Sequence, residues 1–213
     1  MFNTRSLGCK ACSLGEKTEL RALSVGEPTA DIMLVGCDLR STHPFSPGIG
    51  GHAARYGAAS GIIPAGGPFI DRWCESRDVA PERLFSTYAV RCLVHAIDER
   101  QPDPIHKLEG VLPCLQHHLS FEIERMQPQV IVCFGPIAKA AIMLYWSFPA
   151  RYTVKVRSGG HDALRVLPPE CWWHDATYIF DAPPVSSRKL LDESRVFDLL
   201  DEAMHHVRPR PDR

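Results

Sequence analysis

The chain has 213 residues, of which 45% are hydrophobic and 23% charged, with a formal net charge of −1. This balance is that of one globular domain with a core large enough to need no stapling by disulfides. It excludes a global basic field of the kind that draws many proteins to nucleic acid, so any DNA contact must come from local patches. No apolar run approaches the about 18 residues of a membrane span, and the first residues show no signal-peptide core. A cytoplasmic location is therefore expected, where thiols stay reduced. There the eight cysteines point to metal or redox use of some of them rather than to a disulfide framework.

In chain order, residues 1–29 read as an irregular leader containing Cys9-Lys-Ala-Cys12. Ala30 to Gly36 is a short apolar run ending in glycine, a buried strand. The stretch from Cys37 to Gly67 is rich in Gly, Pro, Ala and Ser, a loop of the length that carries function. A helix is predicted from Pro68 to Ser76 with Phe69, Ile70 and Trp73 on one side. A second strand follows over Leu84 to Val90, and Arg91-Cys92 comes directly after it. The polar, proline-containing stretch from Leu93 to Pro104 reads as a loop.

Ile105 to Gln127 reads as a helix whose apolar stripe is Leu108, Leu112, Leu115, Leu119 and Ile123. Pro113 either starts or kinks it. Gln129 to Gly135 is the clearest strand, and Pro136 opens a helix over Ile137–Tyr145 that is apolar nearly all round and expected to be buried. Residues 151–167 suit a hairpin turning at Gly159-Gly160. Thr177 to Phe180 forms a last strand, and a helix closes the chain from about Lys189 to Val207. Strands alternating with helices imply an α/β fold with a largely parallel sheet, whose ligands gather at the carboxyl ends of the strands.

The ordered set Cys9-Lys-Ala-Cys12, Asp31-Ile-Met-Leu-Val-Gly36, Leu84-Phe-Ser-Thr-Tyr-Ala-Val-Arg-Cys92, Leu112-Pro-Cys114-Leu and Pro128-Gln-Val-Ile-Val-Cys-Phe-Gly135 resembles the iron–sulfur (family 4) uracil-DNA glycosylases. The resemblance implies a three-layer α/β sandwich with a central, mainly parallel four-stranded sheet flanked by helices. It also implies a single domain over residues 1–213, in which 1–29 binds a cluster, 40–66 is a Gly-rich insertion and 208–213 is a disordered tail. From spacing alone, four thiolates at these positions fit an iron–sulfur cluster, a four-cysteine zinc site, or a reactive dithiol at Cys9/Cys12. The resemblance selects a 4Fe–4S cluster on Cys9, Cys12, Cys92 and Cys114. Cys37, Cys74, Cys133 and Cys171 are then ordinary buried thiols.

The catalytic motifs of that family are rebuilt here. Cys37 stands where the family has the Glu that positions water, with Asp38 one place along. Ile62 replaces the Phe that stacks on uracil, and a branched aliphatic cannot stack as a ring does. Tyr88 replaces the Asn that reads the base edge, exchanging an amide with both donor and acceptor for one hydroxyl. Asp181-Ala182 stands where the His of the His-Pro motif stabilises the departing base, and a lone carboxylate there repels a developing anion.

The resemblance thus implies a DNA-binding protein in which ordinary uracil excision is lost or weak. Its expected partner is DNA, with a modified base or with a protein as further possibilities. Asp38 and Asp181 are the candidate catalytic carboxylates, and Cys37, Ile62 and Tyr88 line the expected base pocket. Ser186, Ser187, Arg188 and Lys189 lie where the family wedges into DNA and suit phosphate contacts, though the same residues also read as a helix start capped by serine. His43, His52, Arg55 and Tyr56 fall in the insertion, and the pairs His117-His118 and His205-His206 read as solvated surface. Two functions remain open: a glycosylase-like enzyme acting on another base, and a non-catalytic protein that binds DNA or a protein partner. A redox switch built on the cluster is a third.

Overall fold

The structure, a computed structural model, describes residues 24–39, 68–93, 111–147, 153–158, 160–166, 177–182 and 193–209. Within these, the side chains of residues 37–39, 68–69, 92–93, 147, 153–158, 166 and 193 are not described. Strand β1 (Val25–Gly26) is followed by β2 (Ile32–Leu39), helix α1 (Pro68–Arg77), a single 3-10 turn and β3 (Leu84–Leu93). Helix α2 covers residues 111–126, and its middle turn Leu115–Leu119 is π-helical. Then come β4 (Val130–Phe134), α3 (Pro136–Ser147), β5 (Thr153–Ser158), β6 (His161–Val166), β7 (Thr177–Ala182) and α4 (Glu193–His205).

Seven strands form one sheet in the order β1-β3-β2-β4-β7-β6-β5. The four central strands β3, β2, β4 and β7 are mutually parallel, while β1 on one edge and β6 on the other run antiparallel to them, and β5 pairs antiparallel with β6. The sheet is therefore mixed and larger than the four strands expected. The hairpin read at 151–167 does form, but it does not stand apart: β6 pairs with β7 from Ala163↔Phe180 to Val166↔Thr177 and lengthens the sheet.

The core lies on both faces of the sheet. One cluster packs Met33, Val35, Phe85, Ile131, Cys133 and Ile179 under helices α2 and α3. The other packs Ile32, Leu34, Val132, Phe134 and Phe180 under α1 and α4. Alternate residues of each strand face opposite layers, so strands buried on both sides, such as the all-apolar β4, read as unbroken apolar runs. Helix α4 meets the sheet with Val196, Leu199, Leu200 and Ala203, a spacing that sets one apolar stripe against the strands. At the α1–α4 contact, Trp73 Nε1 donates to Asp201 Oδ1 at 2.8 Å, and the Arg77 guanidinium grips the same carboxylate. Cys74 and Cys133 are buried, as expected of ordinary thiols, whereas Cys171 and the Cys37 side chain lie outside what is described.

Pro113 falls in the first turn of the described helix, which begins at Val111, and a π turn follows from Leu115. One extra residue per turn rotates the face, so Val111 is buried while Leu112 is 49% exposed. Helix α3 is not buried all round, because Met143 and Leu144 face outward. His206 is not solvated surface: its ring stacks on Tyr178 with 4.1 Å between centroids, whereas His205 is exposed. Arg208, the first residue of the expected tail, is held by two hydrogen bonds between its backbone and the Gln129 amide.

His206 carries a pH prediction. Burial lowers its pKa below the ordinary histidine value, with Glu202 opposing and His205 and Arg208 assisting. A histidine depressed on folding contributes stability that is present above the unfolded pKa of about 6.5 and lost as pH falls through the folded value. The stability of wild type to denaturant is thus expected to fall progressively below about pH 6.5. His206→Phe, which keeps the stacked ring, is expected to remove that slope.

Gly26 carries a second prediction. Its φ of +123° is one that side chains disfavour, and a Cβ there would sit 2.3 Å from the Leu84 carbonyl oxygen and 2.8 Å from Phe85 Cα. Both obstacles are backbone, so neither can rotate away. Gly26→Ala is expected to push β1 off β3 and to cost about 1–3 kcal/mol, with faster amide exchange at Val25 as the local readout.

Candidate functional site

The carboxyl ends of the parallel strands form the edge where the expected site residues belong. Register pairs set one row across it, Tyr88–Gly36–Phe134–Ala182, on β3, β2, β4 and β7. Side-by-side residues of parallel strands point to one face, and Phe134 and Ala182 pack toward α1 and α4. Tyr88, only 8% exposed, therefore stands on that face too, with side-chain-free Gly36 between it and Phe134.

Asp181 comes one residue before that row and faces the opposite layer, with Ile179. It is not a lone carboxylate. Lys139, in the first turns of α3, places Nζ 2.6 Å from Asp181 Oδ2, and both side chains are about half exposed. The turn that brings them together uses Gly135 at φ +93°. The Gly135 N–H donates to the Ala182 carbonyl at 2.8 Å, tying the start of α3 to the end of β7. Proline at the first helical position then launches α3.

Asp38 lies on β2 beyond Gly36, paired in register with Val90. The register breaks immediately after it: Leu39 pairs with Leu93, so Arg91 and Cys92 have no opposite residue on β2. Such irregularities bend a strand and re-aim its side chains. Asp38 and Asp181 are two strands apart and three residues out of step. At about 3.3 Å per residue and about 4.8 Å per strand, their Cα atoms lie roughly 14 Å from each other. They cannot share a proton directly.

The register break leads to a buried polar network that the residue pattern did not disclose. Arg91 and Glu122 are 5% and 4% exposed and form an ion pair through Arg91 Nη2 and Glu122 Oε1. Thr87 Oγ1 donates to Glu122 Oε2 at 2.8 Å and accepts from Arg91 Nη2 at 3.2 Å. Ser24 completes the group, donating to Glu122 Oε1 and accepting from Arg91. Arg91 Nε, also buried, has no hydrogen-bond partner among the described residues.

Of the expected cluster ligands, Cys114 is 6% exposed on α2, one residue before the π turn. Cys92 lies on β3 inside the register break, its side chain not described. Cys9 and Cys12 lie outside the described residues, as do Ile62, the 40–66 insertion with His43, His52, Arg55 and Tyr56, and the stretch Ser186, Ser187, Arg188 and Lys189. Among the described residues no three His, Cys, Asp or Glu side chains come together as a metal-holding group. Nor is any helix among them long and apolar enough to cross a membrane.

A sequence model described as the Uracil DNA glycosylase superfamily matches residues 23–187, most of the chain. The chain belongs to that superfamily. The match begins one residue before Ser24 and ends at Ser187, so it takes in the whole sheet and both helical layers except α4. No curated protein matches the chain. Superfamily membership makes a DNA-glycosylase-like function the frame for the carboxyl-edge residues.

Lys139 is the functional candidate that the sequence reading missed. Its signal was present: it is the single charged residue of Pro136–Ser147, an otherwise apolar helix.

Proposed function

We propose that this superfamily member binds DNA and acts by N-glycosidic chemistry on a base other than uracil. The observation that carries the reading is the Asp181–Lys139 pair at the carboxyl edge. A bare carboxylate in the place of the family's histidine would oppose the departure of an anionic base. A carboxylate neutralised by an adjacent ammonium does not, and the ammonium itself can take over stabilisation of the leaving group.

In this reading a nucleotide is turned out of the DNA stack and enters the edge. Water adds to C1′ of the deoxyribose, the C1′–N bond breaks, and its electron pair leaves with the base. The Asp38 carboxylate stabilises the cationic sugar and accepts the proton of the attacking water. Lys139, oriented by Asp181, faces the charge that grows on the base. Tyr88 makes the pocket floor flatter and less amide-like than the uracil-reading Asn, with Cys37 and Ile62 completing a wall rebuilt away from uracil. Ser186, Ser187, Arg188 and Lys189 contact phosphates beside the site.

The reading includes a 4Fe–4S cluster on Cys9, Cys12, Cys92 and Cys114. Its support is the ordered cysteine set, together with a buried guanidinium nitrogen, one residue from Cys92, lacking an acceptor among the described residues. When bound, such a cluster clips the leader and the stretch between β3 and α2 to the sheet, as a structural group outside the base pocket.

The test is abasic-site formation on duplex and single-stranded DNA carrying uracil and a panel of modified pyrimidines and purines. Product on at least one modified base, with uracil poorest, is expected. Silence across the panel favours the second reading, a non-catalytic DNA-binding protein, which rests on the replacement of all four family motif residues. That reading predicts salt-sensitive DNA affinity unchanged by Asp38→Asn.

A further inference from the structure

The Lys139–Asp181 pair offers more than charge to a departing base. Lysine is the side chain whose amine, once neutral, bonds covalently to a carbonyl carbon. Among the described side chains Lys139 is the one primary amine. It stands at the carboxyl edge of the parallel strands, where ligands of such sheets gather, and it is half exposed, so a substrate carbonyl can reach it. The product of base release at this edge carries that carbonyl, because an abasic deoxyribose opens to an aldehyde at C1′.

We propose that Lys139 is also the nucleophile of an abasic-site lyase, forming an imine with C1′ of the opened sugar, and that Asp181 is the base that removes the C2′ proton. The inference rests on the reading above that DNA enters this edge.

The steps balance with water alone. The Lys139 ammonium gives a proton to solvent, and the amine lone pair bonds to C1′. The aldehyde oxygen leaves as water, with one proton from the amine and one from solvent, and an iminium remains. The Asp181 carboxylate then takes the proton from C2′. The electron pair of that C–H bond becomes, through the enamine, the second bond between C2′ and C3′. The C3′–O bond breaks, and its electron pair leaves with the 3′ phosphate. Water hydrolyses the iminium, which frees the amine and leaves an unsaturated aldehyde on the 5′ fragment, while Asp181 returns its proton to solvent.

The geometry suits both roles. Asp181 Oδ2 lies 2.6 Å from Lys139 Nζ, and C2′ is the neighbour of the carbon that this nitrogen would hold. A carboxylate already touching the nitrogen therefore stands beside the C–H bond it must break, the placement that general base catalysis needs. Backbone fixes the pair. The Gly135 N–H donates to the carbonyl of Ala182, the residue after Asp181, and the Lys139 N–H donates to the Gly135 carbonyl at 3.1 Å. An exposed ion pair adds little to stability, so the fold itself does not call for one here.

The test supplies the full chain with duplex DNA carrying a preformed abasic site, so that no base need be released. Sodium borohydride reduces an imine to a stable amine. A protein–DNA adduct on a denaturing gel is expected, with the adducted peptide containing Lys139 by mass spectrometry. Without borohydride the strand is expected to be cut on the 3′ side of the abasic sugar. Lys139→Arg, which keeps a cation beside Asp181 but cannot form the imine, is expected to lose both adduct and cutting while its melting temperature stays near wild type. Asp181→Asn is expected to keep the adduct and to slow cutting by about 10²-fold; cutting at the wild-type rate removes Asp181 as the base. Abasic DNA that binds in a gel shift but gives no adduct, or an adduct mapped to another amine, overturns the lyase and leaves base release at this edge standing. Failure to bind abasic DNA at all overturns the lyase and the site reading together.

Discussion

Glu122→Ala is expected to destabilise the protein more than any exposed substitution, by about 3–5 kcal/mol. The removed carboxylate leaves the Arg91 guanidinium charged, 5% exposed and without its counter-ion, and it strips Thr87 and Ser24 of a shared acceptor. Arg91→Ala leaves the mirror-image defect, an unpaired buried carboxylate. For a domain of this size each kcal/mol corresponds to about 2–4 °C in melting temperature, so either single variant should melt at least about 6 °C lower. The double variant Arg91→Met/Glu122→Leu should recover most of the loss, because no buried charge remains. Thermal melts of the four proteins check this as a double-mutant cycle, and a large favourable coupling energy is the expected outcome.

Lys139→Ala is expected to leave the fold intact and to lower abasic-site formation by about 10²–10³-fold. The separation of the two effects follows from exposure. Lys139 and Asp181 are 50% and 48% exposed, and a solvent-facing pair of this kind contributes about 0–1 kcal/mol to stability. Loss of rate therefore cannot be an indirect consequence of unfolding. Asp181→Asn should cost less than Lys139→Ala, since the ammonium remains but is no longer oriented. Asp38→Asn should be as severe as Lys139→Ala, because it removes the group facing the cationic sugar. Single-turnover kinetics on the best modified-base DNA, with melting temperatures measured in parallel, give the comparison.

The elements of the sheet were legible because their signals are local. Val130 to Phe134 is apolar throughout and can only be a strand buried on both faces. Pro136 after Gly135 marks a helix start. The hairpin was legible as well, but its docking on β7 was not, since pairing between distant strands leaves no trace in either one. The π turn was equally hidden: it is a response of the 111–126 helix to packing, and it reassigns burial from Leu112 to Val111.

Charge placement divides in the same way. Asp181 was visible as a misplaced carboxylate, yet its partner Lys139 lies 42 residues away and becomes adjacent only when α3 folds beside β7. Its isolation among Ile137, Ala138, Ala140, Ala141 and Ile142 was the clue. Arg91 and Glu122 carry no such signal, because each sits amid residues of ordinary pattern, a strand end and a helix flank. Tyr88 was legible as a departure from the uracil-reading pattern, and its burial in the edge row beside Gly36 gives that departure a location.

The most direct test of the account is a crystal structure of the protein with DNA bearing the modified base that is turned over best, or with abasic DNA and free base. An extruded base is expected at the carboxyl edge, one polar edge within hydrogen-bond reach of Lys139 Nζ, with Asp38 on the sugar side. DNA bound elsewhere on the molecule, or bound at this edge with every base left in the stack, would contradict it.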